Sequence, residues 1–436
     1  EQTFFIKDAL TVSETRFLPL FYLMFQLFPD DYISFHGTVI FFFFLSSLMV
    51  FVLAKKITNS TNVSLLTSIL YTIHYGINIK SLSWICFGGH IINSALGFLS
   101  VYLFILFLER KKNRGLYLFS FILFSLAGAL IMESGLIYPL IALSITFFFK
   151  RDNLILNLTL SILPIVIYIL LVFVYTGKLL PILIERAQPE RANYYSTLLN
   201  KNNESELFFY RSTYAPRDLK GYTLRTLDNL LSSVNLSALE GTIKFYDKND
   251  YLKNFIKKNL VIFFIFFILF LTLFIFFVIK KINKIQDKNT LKKIFYIYLI
   301  TFSIYTFIFF RRDLNIALSF PATLILSILI FDFYKMKEKI AAYTILFLFV
   351  TPSLLYGFTS FEHFSMEHAP RKVINNITKE YIEYANEDKL NIDITNKYEG
   401  YRYFFYYQNY ENYKNYLSRY KGISFKNFVI KLNENQ

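Results

Sequence analysis

Cysteine is almost absent. Cys86 stands alone in 436 residues, so no intrachain disulfide can form, and thiols say nothing about redox compartment. Tryptophan is equally scarce, with Trp84 alone, and there are five histidines. No His-x-x-His pair, paired cysteine or tight acidic cluster marks a metal centre, although the lack of such a signature leaves a divalent metal open. The histidines and glutamate of "HFSMEHAP" (His363, Glu367, His368) read as a solvated linker. No Walker loop and no Gly-x-Gly-x-x-Gly fingerprint supports nucleotide chemistry. Charge is also scarce inside the apolar segments, where acids and bases collect near the ends.

What the chain has is apolar length. It is 55% hydrophobic, with 52 Phe and 33 Tyr, and Leu260 to Ile279 carries no charge at all. A bilayer crossing needs about 20 such residues. The sequence predicts an all-α polytopic membrane bundle, with spans near 33–54, 62–80, 85–108, 115–132, 136–150, 155–175, 260–279, 294–310, 314–332 and 340–358. The richness in Phe, Ile, Lys, Asn and Tyr suggests a bacterial source, and hence the cytoplasmic (inner) membrane.

Lysine and arginine fix the orientation. The connections "AKKITN", "ERKKNR", "KRDN", "KKINKIQDKNTLKK" and "YKMKEK" hold 17 of them. The alternate connections, at Lys80, "MESG" and "FRRDLN", hold 3. By the positive-inside rule, residues 1–32, the loop 177–258 and the tail 359–436 lie outside the cytoplasm. An outside start implies a helix upstream of Glu1 or an uncleaved signal anchor, and so about eleven spans in the intact protein. The net charge of +15 resides largely in the cytoplasmic turns and gives no argument for nucleic acid. The loop 177–258 and the tail read as mildly basic, solvated surfaces.

Residues 1–358 thus form the transmembrane domain, and 359–436 a small extracytoplasmic α/β unit. In the latter, "RKVINNITKEYIEYANE" has helical spacing and "KNFVIKL" reads as a terminal strand. Nine tyrosines crowd residues 398–420, a set that can stack on sugars or simply form a packed aromatic face.

The segment "YTIHYGINIKSLSWICFGGHIINSALGF" gathers His74, Lys80, Trp84, Cys86 and His90 between two apolar runs. It fits a bend at the outer face, with Trp84 as an interfacial aromatic and Gly88 and Gly89 permitting close approach. Its longer form, "SILYTIHYGINIKSLSWICFGGHIINSALGFLSVYLF", resembles a segment of GT-C-type membrane glycosyltransferases, of the protein O-mannosyltransferase-like and tetratricopeptide-linked kinds. His74 matches the family's histidine and Trp84 its tryptophan, while Lys80 replaces the usual acid. Other stretches resemble the family in the same order: "SETRFLPLFYLMFQLF" through Arg16, Pro19 and Leu20, "YISFHGTVIFFFF" through His36, and "LAGALIMESGLIYPLIAL" through Glu133 and Pro139. "FFRRDLNIALSF" follows through Arg312 and Leu314, with Asn315 where tyrosine is usual. The likeness covers residues 1–332 loosely.

This resemblance implies a sugar donor on a polyprenyl phosphate and an acceptor outside the cytoplasm, whether glycan, lipid or protein. It implies a catalytic acid in the first outer loop, which is Glu1, Asp8 or a residue upstream of Glu1. Arg311 and Arg312 are candidates to hold the donor phosphate, because guanidinium groups fork onto phosphate oxygens and this pair breaks the positive-inside pattern. Arg16 is a third candidate. His90, Trp84 and Glu133 are candidates for the substrate pocket. Plainer alternatives are a packing histidine, an aromatic anchor and a helix cap. Rival readings are a polysaccharide polymerase or ligase, a transporter of lipid-linked substrate, and a non-enzymatic scaffold.

Overall fold

The computed structural model describes residues 32–74, 85–149, 153–177, 288–306, 316–365, 390–393 and 428–431, with positions 20, 223, 226, 229, 230, 232, 233 and 235. The chain divides into two compact units, Glu1–Tyr356 and Gly357–Gln436.

Nine α-helices are described: α1 Tyr32–Thr58, α2 Thr61–Thr72, α3 Ile85–Glu109, α4 Arg114–Ile131, α5 Ile137–Phe149, α6 Leu154–Thr176, α7 Lys288–Ile304, α8 Ile316–Lys335 and α9 Lys339–Ser365. A 3₁₀ turn, Glu133–Leu136, joins α4 to α5. In lipid, a backbone must satisfy its own polar groups, and helices do so within one segment. Five helices, α1, α3, α4, α6 and α8, contain stretches long and apolar enough to cross a membrane. The chain is therefore a multi-pass membrane protein built from helices. The charge-free run 260–279 lies outside the described residues. Helix α2 ends at Thr72, well short of the expected residue 80, where the Ile73 N–H turns back to the Ile69 carbonyl.

Composition decides which helices are central. Windows of α3 and α8 are 72% and 83% buried, against 22–28% for α1, α4 and α6. The central pair is rich in small side chains, including Ser94, Ala95, Gly97 and Ser100 in α3 and Ala317, Ser319, Ala322 and Thr323 in α8, which let helix backbones approach. The outer helices present Phe41, Phe44, Leu116, Phe119, Ile155 and Val174 outward. An apolar exterior of this kind suits lipid rather than water.

The turns near lysine and arginine share one device. Asn59, Asn113 and Asn153 adopt left-handed backbone conformations, with φ of 53°, 60° and 50°, and each directly follows or precedes a helix. Asparagine tolerates that region better than most residues. Side-chain contacts tie these ends together. Lys56 at the end of α1 pairs with Glu109 at the end of α3, 2.6 Å away. The Arg114 guanidinium lies 4.4 Å above the Phe107 ring and reaches Asn157 of α6 at 3.5 Å. This is the basic end of the bundle.

In the second unit, strands β1 Leu390–Asp393 and β2 Phe428–Lys431 pair in parallel, with Leu390 opposite Phe428 and Asp393 opposite Lys431. The second strand lies within the expected "KNFVIKL" segment, and the expected helix of the tail falls outside the described residues.

Candidate functional site

Polar side chains are buried at the end of the bundle opposite the lysines. On α3, His90, Asn93, Ser94 and Gly97 share one face at helical spacing. His90, Asn93 and Ser94 are all buried. One turn further along, this face turns largely apolar, with Val101, Phe104 and Ile105.

The α4–α5 turn lies on this polar stripe. Met132 takes an extended conformation, with φ −149° and ψ 132°, and its N–H still reaches the Gly128 carbonyl. The chain then folds into the 3₁₀ turn, closed by the Gly135 N–H to the Met132 carbonyl at 2.8 Å. Glu133 and Gly135 are buried there. Asn93 Nδ2 donates to Ser134 Oγ at 3.0 Å, and the same oxygen stands 3.2 Å from His90 Nδ1. Glycines let the turn come this close. A Cβ on Gly128 or Gly135 would lie 2.9 or 2.8 Å from Asn93 Oδ1.

Deeper in the bundle is a layer of hydroxyl groups. Tyr71 of α2 meets Ser46 of α1 at 3.2 Å. Ser94 stands beside the hydroxyls of both Tyr71 and Tyr138. The Ala317 backbone, at the start of α8, lies beside the Tyr305 hydroxyl. Phe98 holds the layer by edge contacts to the rings of Tyr71, Tyr138 and Phe320, at 5.7, 5.1 and 5.5 Å. Each tyrosine thus buries a ring and gives its hydroxyl a polar neighbour, as tyrosines in apolar cores usually do.

Part of the loop 177–258 also enters the bundle, contrary to its reading as a solvated surface. Asn229, Ser232, Ser233 and Asn235 are buried. Asn229 Nδ2 donates to Thr306 at 3.0 Å, and Ser233 meets the Tyr298 hydroxyl at 2.8 Å. Asn235 donates to the Phe349 carbonyl and to Ser353, both at 2.6 Å. His74 lies against the backbone of Ser232 and Ser233, with its ring 5.8 Å from that of Phe349. Amide and hydroxyl side chains buried in an apolar bundle need such partners, and Asn229, Ser233 and Asn235 find them on and just after α7 and on α9.

Of the residues that the sequence offers for catalysis, phosphate binding or the substrate pocket, His90 and Glu133 are described, and the fold brings their helix and turn together. Glu133 is the residue next to Ser134, which bridges to His90. Glu1, Asp8, Arg16, Trp84, Arg311 and Arg312 lie outside the described residues. Asn93, Ser134, Gly128 and Gly135 escape a reading of the sequence alone. Their signal is the neutral amide and hydroxyl pair inside apolar runs, three residues past His90 and one past Glu133. Among the described residues, no group of three or more His, Cys, Asp or Glu side chains is placed to hold a metal ion. The arrangement offers an imidazole, an amide, a hydroxyl and a carboxylate, which is hydrogen-bonding chemistry suited to polyhydroxylated ligands. No family model, curated protein or solved structure matches this chain.

Proposed function

We propose that this protein is a membrane glycosyltransferase that moves a sugar from a polyprenyl-phosphate donor to an acceptor outside the cytoplasm. The observation that carries the proposal is the hydrogen-bonded set of His90, Ser134 and Asn93, with Glu133 buried in the same turn, at the end opposite the basic turns. Polar groups inside a membrane bundle are costly and mark function by default. The ordered resemblance through Arg16, His74, Trp84, Glu133 and Arg312 supplies the reaction class. A transporter would place ionisable groups along the middle of its helices. Among the described residues, the buried carboxylates Glu133 and Asp332 sit beyond the end of α4 and near the end of α8.

In the reaction, the acceptor hydroxyl oxygen forms a bond to the anomeric carbon. The bond from that carbon to the phosphate oxygen breaks, and the polyprenyl phosphate leaves with the electron pair. The hydroxyl proton passes to a carboxylate, for which Glu1, Asp8 or a residue before them stands first. Arg311, Arg312 and Arg16 hold the phosphate. Trp84 and His90 line the sugar, and Glu133 orients the acceptor.

The test uses the full chain in liposomes with radiolabelled polyprenyl-phosphate hexoses and counts sugar released or transferred. The parent is expected to turn over at least one of them, with Asp8→Asn lowering the rate about 100-fold or more, the contribution of a positioned base, and Glu133→Gln weakening use of the acceptor. Arg312→Ala is expected to weaken donor binding. A parent that neither binds nor consumes any polyprenyl-phosphate hexose contradicts the proposal.

A further inference from the structure

Three elements meet at Asn235. Its Nδ2 donates at 2.6 Å to the Phe349 carbonyl and at 2.6 Å to Ser353 Oγ, both on α9. Ser353 Oγ in turn stands 2.5 Å from the carbonyl of Ile73, the residue that caps α2. A carbonyl can only accept, so the single Ser353 proton points to Ile73, and Ser353 Oγ is left to accept from Asn235. Both protons of the Asn235 amide then meet an acceptor. With the amide reversed, its oxygen would face the Phe349 carbonyl, two acceptors in contact.

The groups joined here have reasons to need partners. Ile73 closes α2, and the last carbonyls of a helix have no N–H ahead of them. Pro352 stands inside α9 between Phe349 and Ser353, and it has no N–H to give the preceding turn. Membrane helices interrupted in this way draw on neighbouring side chains. Asn235 itself is fully buried, in a left-handed conformation with φ 68° that asparagine tolerates. Its N–H closes a turn on the Ser232 carbonyl at 3.0 Å, and His74 lies against the backbone of that turn. Asn229 and Ser233 tie the segment to Thr306 and Tyr298, whereas Asn235 ties it to α9 and, through Ser353, to the end of α2.

We propose that Asn235 is a conformational lock. Its amide fastens the 229–235 segment to α9 at the Pro352 break and to the end of α2, and the segment leaves the bundle when the lock is opened. The lock does not depend on the transferase reading.

The test follows Ser232, which is buried in the parent. In a Cys86→Ser background, Ser232→Cys is introduced into the full chain in lipid nanodiscs, where both membrane faces meet a membrane-impermeant maleimide. Thr226→Cys, at an exposed position, is the reference. Ser232→Cys is expected to react far more slowly than the reference. Asn235→Gly removes the amide and still fits the left-handed backbone. It is expected to raise the Ser232→Cys rate about 10-fold or more, as two buried bonds are lost, while the reference rate stays in place. Asn235→Asp, which sets an acceptor against the Phe349 carbonyl, and Ser353→Ala are expected to act in the same direction. Ser353→Thr, which keeps the hydroxyl, is expected to match the parent. Ser353 acts on the segment through Asn235, so Ser353→Ala added to Asn235→Gly is expected to raise the rate no further. The proposal is overturned by a Ser232→Cys that reacts as fast as the reference in the parent. It is equally overturned by an Asn235→Gly rate equal to the parent's, or by independent effects of Asn235→Gly and Ser353→Ala.

Discussion

Gly135→Ala is expected to prevent the α4–α5 turn from closing, with loss of monodisperse protein in detergent or a stability loss of about 3 kcal/mol or more. An added Cβ at this position would lie 2.6 Å from the Ala129 nitrogen, 2.7 Å from the Gly128 carbonyl carbon and 2.8 Å from Asn93 Oδ1. Overpacking ordinarily costs about 1–3 kcal/mol, because side chains shift to make room. Here the two nearest atoms belong to the backbone of α4, close to its end, and a helix backbone has no rotamer to change. Removing the third atom should therefore not help: Asn93→Ala is expected to leave Gly135→Ala as damaged as before. Full recovery in that double variant would mean that the turn does not lie against α4 as described. Thermal unfolding in detergent, followed by size-exclusion chromatography, reads both outcomes.

Gly97→Ala is expected to be as damaging when made alone but to be relieved by a second substitution. Its Cβ would fall 2.1–2.3 Å from three ring carbons of Tyr138, inside the ring's own volume. The ring cannot simply turn away. It is buried, and its edge meets Phe98 at 5.1 Å. A cost of about 3 kcal/mol or more follows from the overpacking range. The obstruction is a side chain, however, so Tyr138→Ala removes it. The double variant Gly97→Ala/Tyr138→Ala is expected to be more stable than the sum of the single losses, with a coupling of about 1–3 kcal/mol. Additive losses would place Tyr138 elsewhere.

The contrast between these glycines shows what the sequence could and could not reveal. The apolar runs marked α1, α3, α4, α6 and α8 directly, because a bilayer requires a minimum uninterrupted length. The basic turns marked the alternation of helices, and the Lys56–Glu109 and Arg114–Asn157 contacts join ends that lysine and arginine content had grouped. The sequence reading expected close approach at Gly88 and Gly89 and passed over Gly97 and Gly135. What they face, the Tyr138 ring and the end of α4, is set by tertiary packing.

The segment 229–235 was misread for a similar reason. Its asparagines and serines have the composition of a solvated loop. Their partners, Thr306, Tyr298 and Ser353, lie 77, 65 and 118 residues from Asn229, Ser233 and Asn235. Composition carries no record of pairings at such separations. The site was half legible on the same terms. His90 and Glu133 drew notice as ionisable residues in an apolar setting. Asn93 and Ser134, neutral and common in this chain, acquire meaning only when the turn crosses α3.

Everything functional depends on the end that carries His90, Ser134 and the 229–235 segment facing out of the cytoplasm. Single-cysteine labelling in a Cys86→Ser background tests this most directly. It uses Thr226→Cys, just before the inserted segment, and Lys111→Cys at the basic turn, both at exposed positions. A membrane-impermeant maleimide applied to intact cells is expected to label Thr226→Cys at once and Lys111→Cys only after lysis. Labelling of Lys111→Cys in intact cells, with Thr226→Cys protected until lysis, would reverse the orientation and contradict the account.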